Sequence, residues 1–558
     1  MRALADLDVL IVDCQTTGAS PAFGCVLELG WGVARASRPE LQTAEAHWIA
    51  LPEGQRVPRQ VQKITGYEPA HAAHALPDSD AWERLRQAVE RAEFAPTAIH
   101  YARFELAFLR DWAARFEPQG PFPFDAVCVH AIAVRLYPDL PRQSLRALAG
   151  YLGHSLDLAR RSLGHVEATA FVWRSLCAEL ATRGITTWEQ LQAWLTERAP
   201  VKARAKKPLY PIASDRYKSL PDKPGVYRFL RSNRDLLYVG KAASLKKRVT
   251  SHFAGRVGKP LAPEMLTQVA DIDFTVAASA LEAALLENDT IKALRPPYNV
   301  QLATAEPRAW YGTSDFATAA PTPDERHHAG PVASPYSLTA LAALTELTAG
   351  ASSTPRLRSQ AVGVSDLWTP DEAVFAAGWA ELVARHPALL TPGAKGPRRC
   401  ALQLAKQLLL SAPNKASEDT ENTAKPEGWD PERVARHVER AAAVAYQAYR
   451  RARFLRLIHD ADIVYREPNS AHTRLLRVRD GAPAEASDVP PDWVPSERVR
   501  TTLAQRSPVS FDRAKYDRLR VLTSELKRIV RDGGYVAVHF GPRSAVRARW
   551  LPGVLRLV

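Results

Sequence analysis

The chain has 558 residues, of which 46% are hydrophobic and 24% charged, with a formal net charge of +14. At roughly 100–200 residues per domain this length predicts about three or four domains, each with its own core, and the composition excludes a disordered or fibrous chain. No run approaches the ~18 consecutive apolar residues of a membrane-spanning helix, which excludes a conventional span. The opening MRALADLDVLIVD lacks a basic stretch, an apolar stretch and a small-residue cleavage site, so no secretion is expected. The five cysteines Cys14, Cys25, Cys128, Cys177 and Cys400 are far apart and form no CxxC pair. Neither a disulfide framework nor a cysteine-rich metal cluster is expected, and a reducing cytosol is the predicted compartment.

In chain order, residues 1–198 start with an apolar strand at Val9–Val12 and alternate helical and strand-like stretches, with 20 basic and 23 acidic residues up to position 200. A Lys- and Pro-containing linker, 199–211, leads into a compact α/β module at 212–300. The module reads as strands PGVYRFL and LLYVGKA around an SNRD turn, a basic helix SLKKRVTSHF, a strand DIDFTVAA, and a helix SALEAALLENDTIKAL ended by Pro296. Residues 201–260 hold 16 basic and only 3 acidic residues, so most of the surplus charge lies there. Such a concentration focuses a positive potential and points to a polyanion, whose phosphates release counterions when Lys or Arg neutralises them. A middle region, 301–430, contains AAPTPDERHHAG (319–330) and SAPNKASEDTENTAKPEG (411–428), both read as flexible connections. The last region, 431–558, holds an Arg- and Ala-rich helix at 432–458 and a small α/β tail at 510–558.

The central module carries the chemistry. Gly225-Val226-Tyr227, Tyr238-Val239-Gly240, Lys241, Arg248, Glu287 and Tyr298-Asn299 follow one another at fixed separations. In this order they resemble the GIY-YIG endonucleases, specifically the N-terminal nuclease module of UvrC and its shorter homologue Cho. Phosphodiester hydrolysis needs an activated water, charge stabilisation and help for the leaving group. Glu287 can anchor one Mg²⁺ or Mn²⁺ that keeps most of its waters, and Arg248 can bind a phosphate bidentately. Tyr238 is the candidate general base, its phenolate favoured by Lys241 three residues on. The resemblance further implies that Tyr227 positions water, that His252 occupies a place where an aromatic or His is common, and that Asn299 braces the site. Lys246, Lys247, Arg256 and Lys259 are the expected DNA contacts.

VLIVDCQTTGAS, ITGYEPAHA, IHYARFELAFL and GHVEATAFVWRSL resemble DnaQ-type DEDD 3′–5′ exonucleases, which clamp two metal ions with four carboxylates. Asp13 matches the first carboxylate and Glu105 the third, one methylene longer than the Asp expected. Gln15 replaces the second carboxylate, Arg160 the general base and His165 the fourth carboxylate. A two-metal site so depleted lacks its charge compensation, and the domain is expected to be a fold kept for DNA or partner docking. A one-metal arrangement of Asp13, Glu105 and His165 is the alternative. Thr16, Thr17 and Phe104 remain where such a fold would meet a DNA end.

The predicted fold class is thus multidomain α/β: an RNase H-like exonuclease fold, a small GIY-YIG module, then a mainly helical C-terminal region with a small α/β tail. The resemblance implies metal-dependent incision of one strand of double-stranded, lesion-containing DNA in nucleotide excision repair, with UvrA/UvrB-type proteins as partners and no membrane. Two other readings are a 3′–5′ exonuclease dependent on Asp13 and a non-catalytic DNA-binding scaffold. No second nuclease domain or helix–hairpin–helix element is recognisable. The Arg-rich helix 432–458 reads either as a DNA or partner contact or as a helix packing within its own domain.

Overall fold

The computed structural model describes residues 2–91, 96–154, 161–197, 210–254, 263–299, 309–349, 372–386, 396–411, 429–468, 470–493, 511–539 and 545–547. The linker 199–211 and the segment 411–428 fall almost wholly outside them, as do Arg160, Arg256 and Lys259. The chain divides into two compact units, Met1–Ala278 with Arg295–Val300, and Ser279–Leu294 with Gln301–Val558.

The first unit begins with a mixed sheet of β1 (Asp8–Thr16), β2 (Val26–Arg35), β3 (Thr43–Trp48), β4 (Thr97–Ile99) and β5 (Ala126–Cys128), in the order β3-β2-β1-β4-β5. β1, β2 and β3 pair antiparallel, and β4 and β5 run parallel to β1. Strand periodicity splits β1 between two cores. Val9 and Ile11 pack into the cluster with Val166, Val172 and Trp173, while Leu10, Val12 and Cys14 join Trp82, Leu85, Phe108 and Trp112. The helices covering the two faces include α1 (Asp78–Arg91), α2 (Ala102–Phe116), α3 (Leu145–Tyr151) and α4 (Ser162–Thr182).

The same unit continues with β6 (Gly225–Leu230), β7 (Leu236–Ala242), α5 (Leu245–Ala254) and β8 (Asp271–Val276). β6 lies between β7 and β8, antiparallel to both. Tyr227 and Phe229 share the buried cluster with Leu245 and Val249 of α5. Ser244 caps that helix, its hydroxyl accepting from Lys247 N at 3.2 Å.

The second unit contains α6 (Ala280–Leu294), a small sheet of β9 (Trp310–Gly312), β10 (Ala319–Ala320) and β11 (Ala329–Val332), and four helices: α7 (Pro335–Thr348), α8 (Glu372–Arg385), α9 (Gly396–Ser411) and α10 (Pro431–Ile458). Then come β12 (Ala461–Arg466), β13 (Thr473–Arg479), β14 (Ala482–Val489), α11 (Arg513–Arg531), β15 (Tyr535–His539) and β16 (Ala545–Arg547). These five strands form one antiparallel sheet, β14-β13-β12-β15-β16.

Two expectations change here. Residues 319–330 are not a loose connection: β10 and β11 both pair with β9, and Asp324 Oδ1 accepts from Arg326 N at 2.8 Å and His327 N at 2.6 Å in the turn between them. The C-terminal α/β element is also larger than a 510–558 tail, because its central strand β12 starts at Ala461. The Arg-rich helix α10 packs inside its own unit, with Val434, Val438 and Ala442 against Phe375, Leu382 and Leu404.

Candidate functional site

Strand register gathers the two tyrosines. Tyr227 of β6 pairs with Gly240, and Phe229 with Tyr238, so the tyrosines are diagonal neighbours on one face with ring centroids 6.1 Å apart. A side chain at Gly240 has no room. A Cβ there would stand 2.5 Å from Tyr227 Cζ and Oη and 2.8 Å from Tyr238 Cε1. Tyr227 is fully buried, whereas Tyr238 is only half-buried.

Behind Tyr227 lies His252 of α5, its Nε2 2.7 Å from the Tyr227 hydroxyl. Burial, with Arg248 one helical turn away, pushes the imidazole down to about 4. A neutral ring can accept the Tyr227 proton. Arg248 itself is exposed, as are Lys246 and Lys247, and Lys247 Nζ lies 3.5 Å from Asp222. Asn299 is buried and pairs with the backbone of β7: its Oδ1 accepts from Val239 N at 2.9 Å and its Nδ2 donates to Val239 O at 2.8 Å. That fixes the residue between Tyr238 and Gly240. Lys241 belongs to the same strand as Tyr238. It lies three residues beyond Tyr238 on β7 and is half-buried.

Glu287 lies on α6 in the second unit and is half-buried. The partners that hold this helix come from some two hundred residues downstream. Ser279 Oγ and Tyr465 Oη are 2.8 Å apart, and Tyr465 donates to Glu282 Oε1 at 2.8 Å. Arg474 Nε donates to Glu282 at 2.6 Å, Arg518 Nε to Asp289 at 2.9 Å, and Lys292 pairs with Asp517. Leu281 and Leu285 complete the attachment in a cluster with Ile463, Leu519 and Leu522. Nothing in the local sequence signals these contacts. Glu282 and Asp289 of the same helix are engaged by Arg474 and Arg518, and a glutamate carboxylate such as that of Glu287 is the type of oxygen donor a hard divalent cation takes. One such oxygen donor, completed by waters and phosphate, fits Mg²⁺ or Mn²⁺.

The first domain's polar centre is arranged differently. His165 Nδ1 of α4 lies 3.2 Å from Asp13 Oδ1 and 3.0 Å from Gln15 Nε2, and Gln15 Nε2 is 3.4 Å from Asp13 Oδ2. Asp13 is thus engaged by an amide and an imidazole. Glu105 is buried, and burial together with the Asp13 charge pushes its carboxyl far up, towards the protonated form. Among the described residues no group of three or more His, Cys, Asp or Glu is placed to hold a metal ion. A pair that sequence reasoning missed, buried Glu28 with exposed Arg161, lies alongside, the guanidinium 4.3 Å over the Trp48 ring. Thr16 and Thr17 bond locally, to Gly18 O at 2.8 Å and from Cys25 N at 2.9 Å, and Phe104 is exposed.

No helix among the described residues is long and apolar enough to cross a membrane. Residues 223–300 match the UvrC-like GIY-YIG domain family. A protein of Mycobacterium tuberculosis named as a bifunctional exonuclease/endonuclease is 30% identical over 245 residues, which are 44% of this chain and 36% of that protein. The UvrABC system protein C of a Psychrobacter species is 49% identical over 85 residues, 15% of this chain and 14% of that protein. The chain therefore spans much less than two thirds of these relatives. Among solved structures, the magnesium-bound N-terminal GIY-YIG endonuclease domain of Thermotoga maritima UvrC is 29% identical, covers 15% of this chain and 92% of its own, and has a TM-score of 0.14. The nuclease domain of 3′hExo, a DEDDh family member bound to rAMP, is 12% identical, covers 33% and 96%, and has a TM-score of 0.27. Residues 223–300 are a UvrC-like GIY-YIG endonuclease domain, a metal-dependent phosphodiester hydrolase.

Proposed function

We propose that this protein nicks one strand of damaged or distorted DNA in nucleotide excision repair in the cytoplasm, cooperating with UvrA/UvrB-type proteins. The observation that carries the reading is the Tyr227–His252 pair, 2.7 Å apart and buried behind the more accessible Tyr238. Arg248 binds the scissile phosphate and balances charge developing on its oxygens. Tyr238, as its phenolate, takes the proton of the attacking water and becomes the neutral phenol. Tyr227 supports it from behind, handing its own hydrogen bond to a neutral His252. Asn299 keeps the Tyr238–Gly240 backbone in place. Glu287 would hold the divalent cation, which when bound supplies further charge neutralisation at the phosphate. Lys246 and Lys247 contact the DNA backbone, giving affinity without sequence preference.

The first domain serves docking in this reading, because Asp13 is engaged by Gln15 and His165 and Glu105 is held towards its neutral form. The test uses adduct-bearing and plain duplexes with Mg²⁺ or Mn²⁺, with a UvrA/UvrB-type loading system as a second arm. Nicks near the adduct that vanish with Glu287→Gln, while DNA binding persists, are expected. Undiminished nicking by Glu287→Gln overturns the site. A 3′ shortening ladder abolished by Asp13→Asn would restore the exonuclease reading, and binding without cleavage in both arms would leave a scaffold.

A further inference from the structure

The second unit contains a cavity of about 230 Å³ between α10, α11 and the Pro331–Ala333 segment. Three cations line it: Arg451 from α10, and Arg520 and Lys527 from α11. The remaining lining includes Tyr516, Thr523 and Ser524, and no carboxylate among the described residues. This is unusual for a protein whose other arginines are so often paired. On the same two helices Arg436 is bonded to Glu432, Arg518 to Asp289, and Arg528 to Glu467 and Glu525. Among the described residues the carboxylate paired with Arg520 is Asp517, at 3.7 Å, which also pairs with Lys292.

Arg451 and Arg520 are exposed, so solvent screens part of the repulsion among the three cations, and an anion in the cavity would offset the rest. Repulsion is visible at Lys527, whose ammonium is pushed down to about 8 by burial and by Arg451 and Arg450. The volume is below the roughly 300–1,000 Å³ of sites for drug-sized ligands, and two guanidinium forks with an ammonium match a tetrahedral oxyanion. Thr523 and Ser524 direct their hydroxyl protons to Leu519 O and Arg520 O, at 2.7 and 2.9 Å. The cations are therefore the principal donors to a ligand.

We infer that the Arg451–Arg520–Lys527 cavity is a phosphate-binding site, taking either a backbone phosphate of nucleic acid or the phosphate of a free nucleotide. It is lined by residues of the second unit alone and does not depend on the nuclease reading.

The experiment uses the full chain, wild type beside Arg451→Gln/Lys527→Gln and beside Ser524→Glu, which places a carboxylate at an exposed position of the rim. Circular dichroism and Tm without ligand establish that each is folded, and Lys527→Arg, which keeps the charge, serves as the retained-function control. Thermal shift with inorganic phosphate and adenosine monophosphate is measured alongside salt-dependent binding of a labelled duplex. If DNA is the source, the double variant and Ser524→Glu weaken duplex binding about tenfold and shallow its salt dependence by roughly one to two ions. If the source is a free nucleotide, duplex binding is unchanged while the thermal shift given by phosphate and adenosine monophosphate disappears in both variants. Both results support the site, provided Lys527→Arg behaves as wild type. Variants that match wild type in both assays overturn it.

Discussion

The Tyr227 hydroxyl and His252 Nε2 form a buried pair at 2.7 Å, one on the central strand of the nuclease sheet and the other on the helix that carries Arg248. With the imidazole pushed down to about 4, the ring is neutral at neutral pH, and Nε2 accepts from the Tyr227 hydroxyl in the tautomer that carries its hydrogen on Nδ1. Replacing His252 with Phe keeps an aromatic ring but leaves a buried hydroxyl with a lost partner, at a cost of about 1–3 kcal/mol. Single-turnover nicking by His252→Phe is expected to fall about tenfold or more, with DNA affinity little changed. His252→Gln, which retains an acceptor, should recover part of the rate. Equal rates for Phe and wild type would remove His252 from the site.

The same imidazole gives a stability signature with a definite sign. Its folded-state value lies below the 6.5 of an unperturbed histidine. As pH falls from about 6.5 towards 4, the unfolded chain takes up a proton that the folded chain refuses, so stability declines over that window and is fully present above it. One such histidine contributes a slope of up to about 1.4 kcal/mol per pH unit. His100, likewise buried and pushed down to about 3 mainly by burial, adds to the decline. Urea titrations between pH 4 and 7 should show a shallower pH dependence for His252→Phe than for wild type; parallel curves would contradict the buried neutral ring.

Gly240 is where backbone and tyrosines meet. A methyl group there would lie 2.5 Å from the end of the Tyr227 ring and 2.8 Å from Tyr238, closer than real contacts allow. Gly240→Ala is expected to cost about 1–3 kcal/mol through overpacking. Its nicking rate should fall further than that of an equally destabilised core variant, because both tyrosines must move. Wild-type activity in Gly240→Ala would mean that the tyrosine spacing is not what the chemistry uses.

The strands and helices of the nuclease module were legible because each carries its own pattern: PGVYRFL, LLYVGKA and DIDFTVAA correspond to β6, β7 and β8, and the helix ahead of Pro296 ends at Leu294. The Tyr227, Tyr238, Arg248, Glu287 and Asn299 set stood out through its resemblance, in order and spacing, to the GIY-YIG pattern. What escaped was everything that depends on distant pairing. β12 meets β15 across some seventy residues, and α6 is held by Tyr465, Arg474 and Arg518, none of which leaves a periodic trace near Glu287. The short strands β10 and β11 are too brief for periodicity to register at all.

The contact between residues 144–150 and the nuclease module of the first unit yields the last prediction. A Cβ at Gly150 of α3 would fall 1.9 Å from Gln268 Oε1, so only glycine lets the helix approach this closely. Gln268 Oε1 accepts from the fully buried Arg231 at 2.9 and 3.1 Å, and its Nε2 donates to the Tyr298 hydroxyl at 2.7 Å. Tyr298 donates to Glu264 at 3.1 Å, and Ser144 of the first domain donates to the same carboxylate at 3.0 Å, while Arg146 lies 4.4 Å over the Tyr298 ring. The next residue is Asn299, which braces β7 beside Tyr238. The first domain therefore presses, through Gly150 and Arg146, on the loop that positions the nuclease backbone, although it makes no contact of its own with Asn299 in this network. Arg146→Ala should reduce nicking about three- to tenfold as a fall in kcat with KM little changed, since a positioning contact is lost rather than a DNA contact. Gly150→Val, which forces the two parts apart, should lose more, and Gln268→Leu should destabilise the unit by about 1–3 kcal/mol by removing an acceptor from a buried guanidinium. Should Arg146→Ala and Gly150→Val both nick at the wild-type rate, the first domain is merely tethered to the nuclease and does not position it.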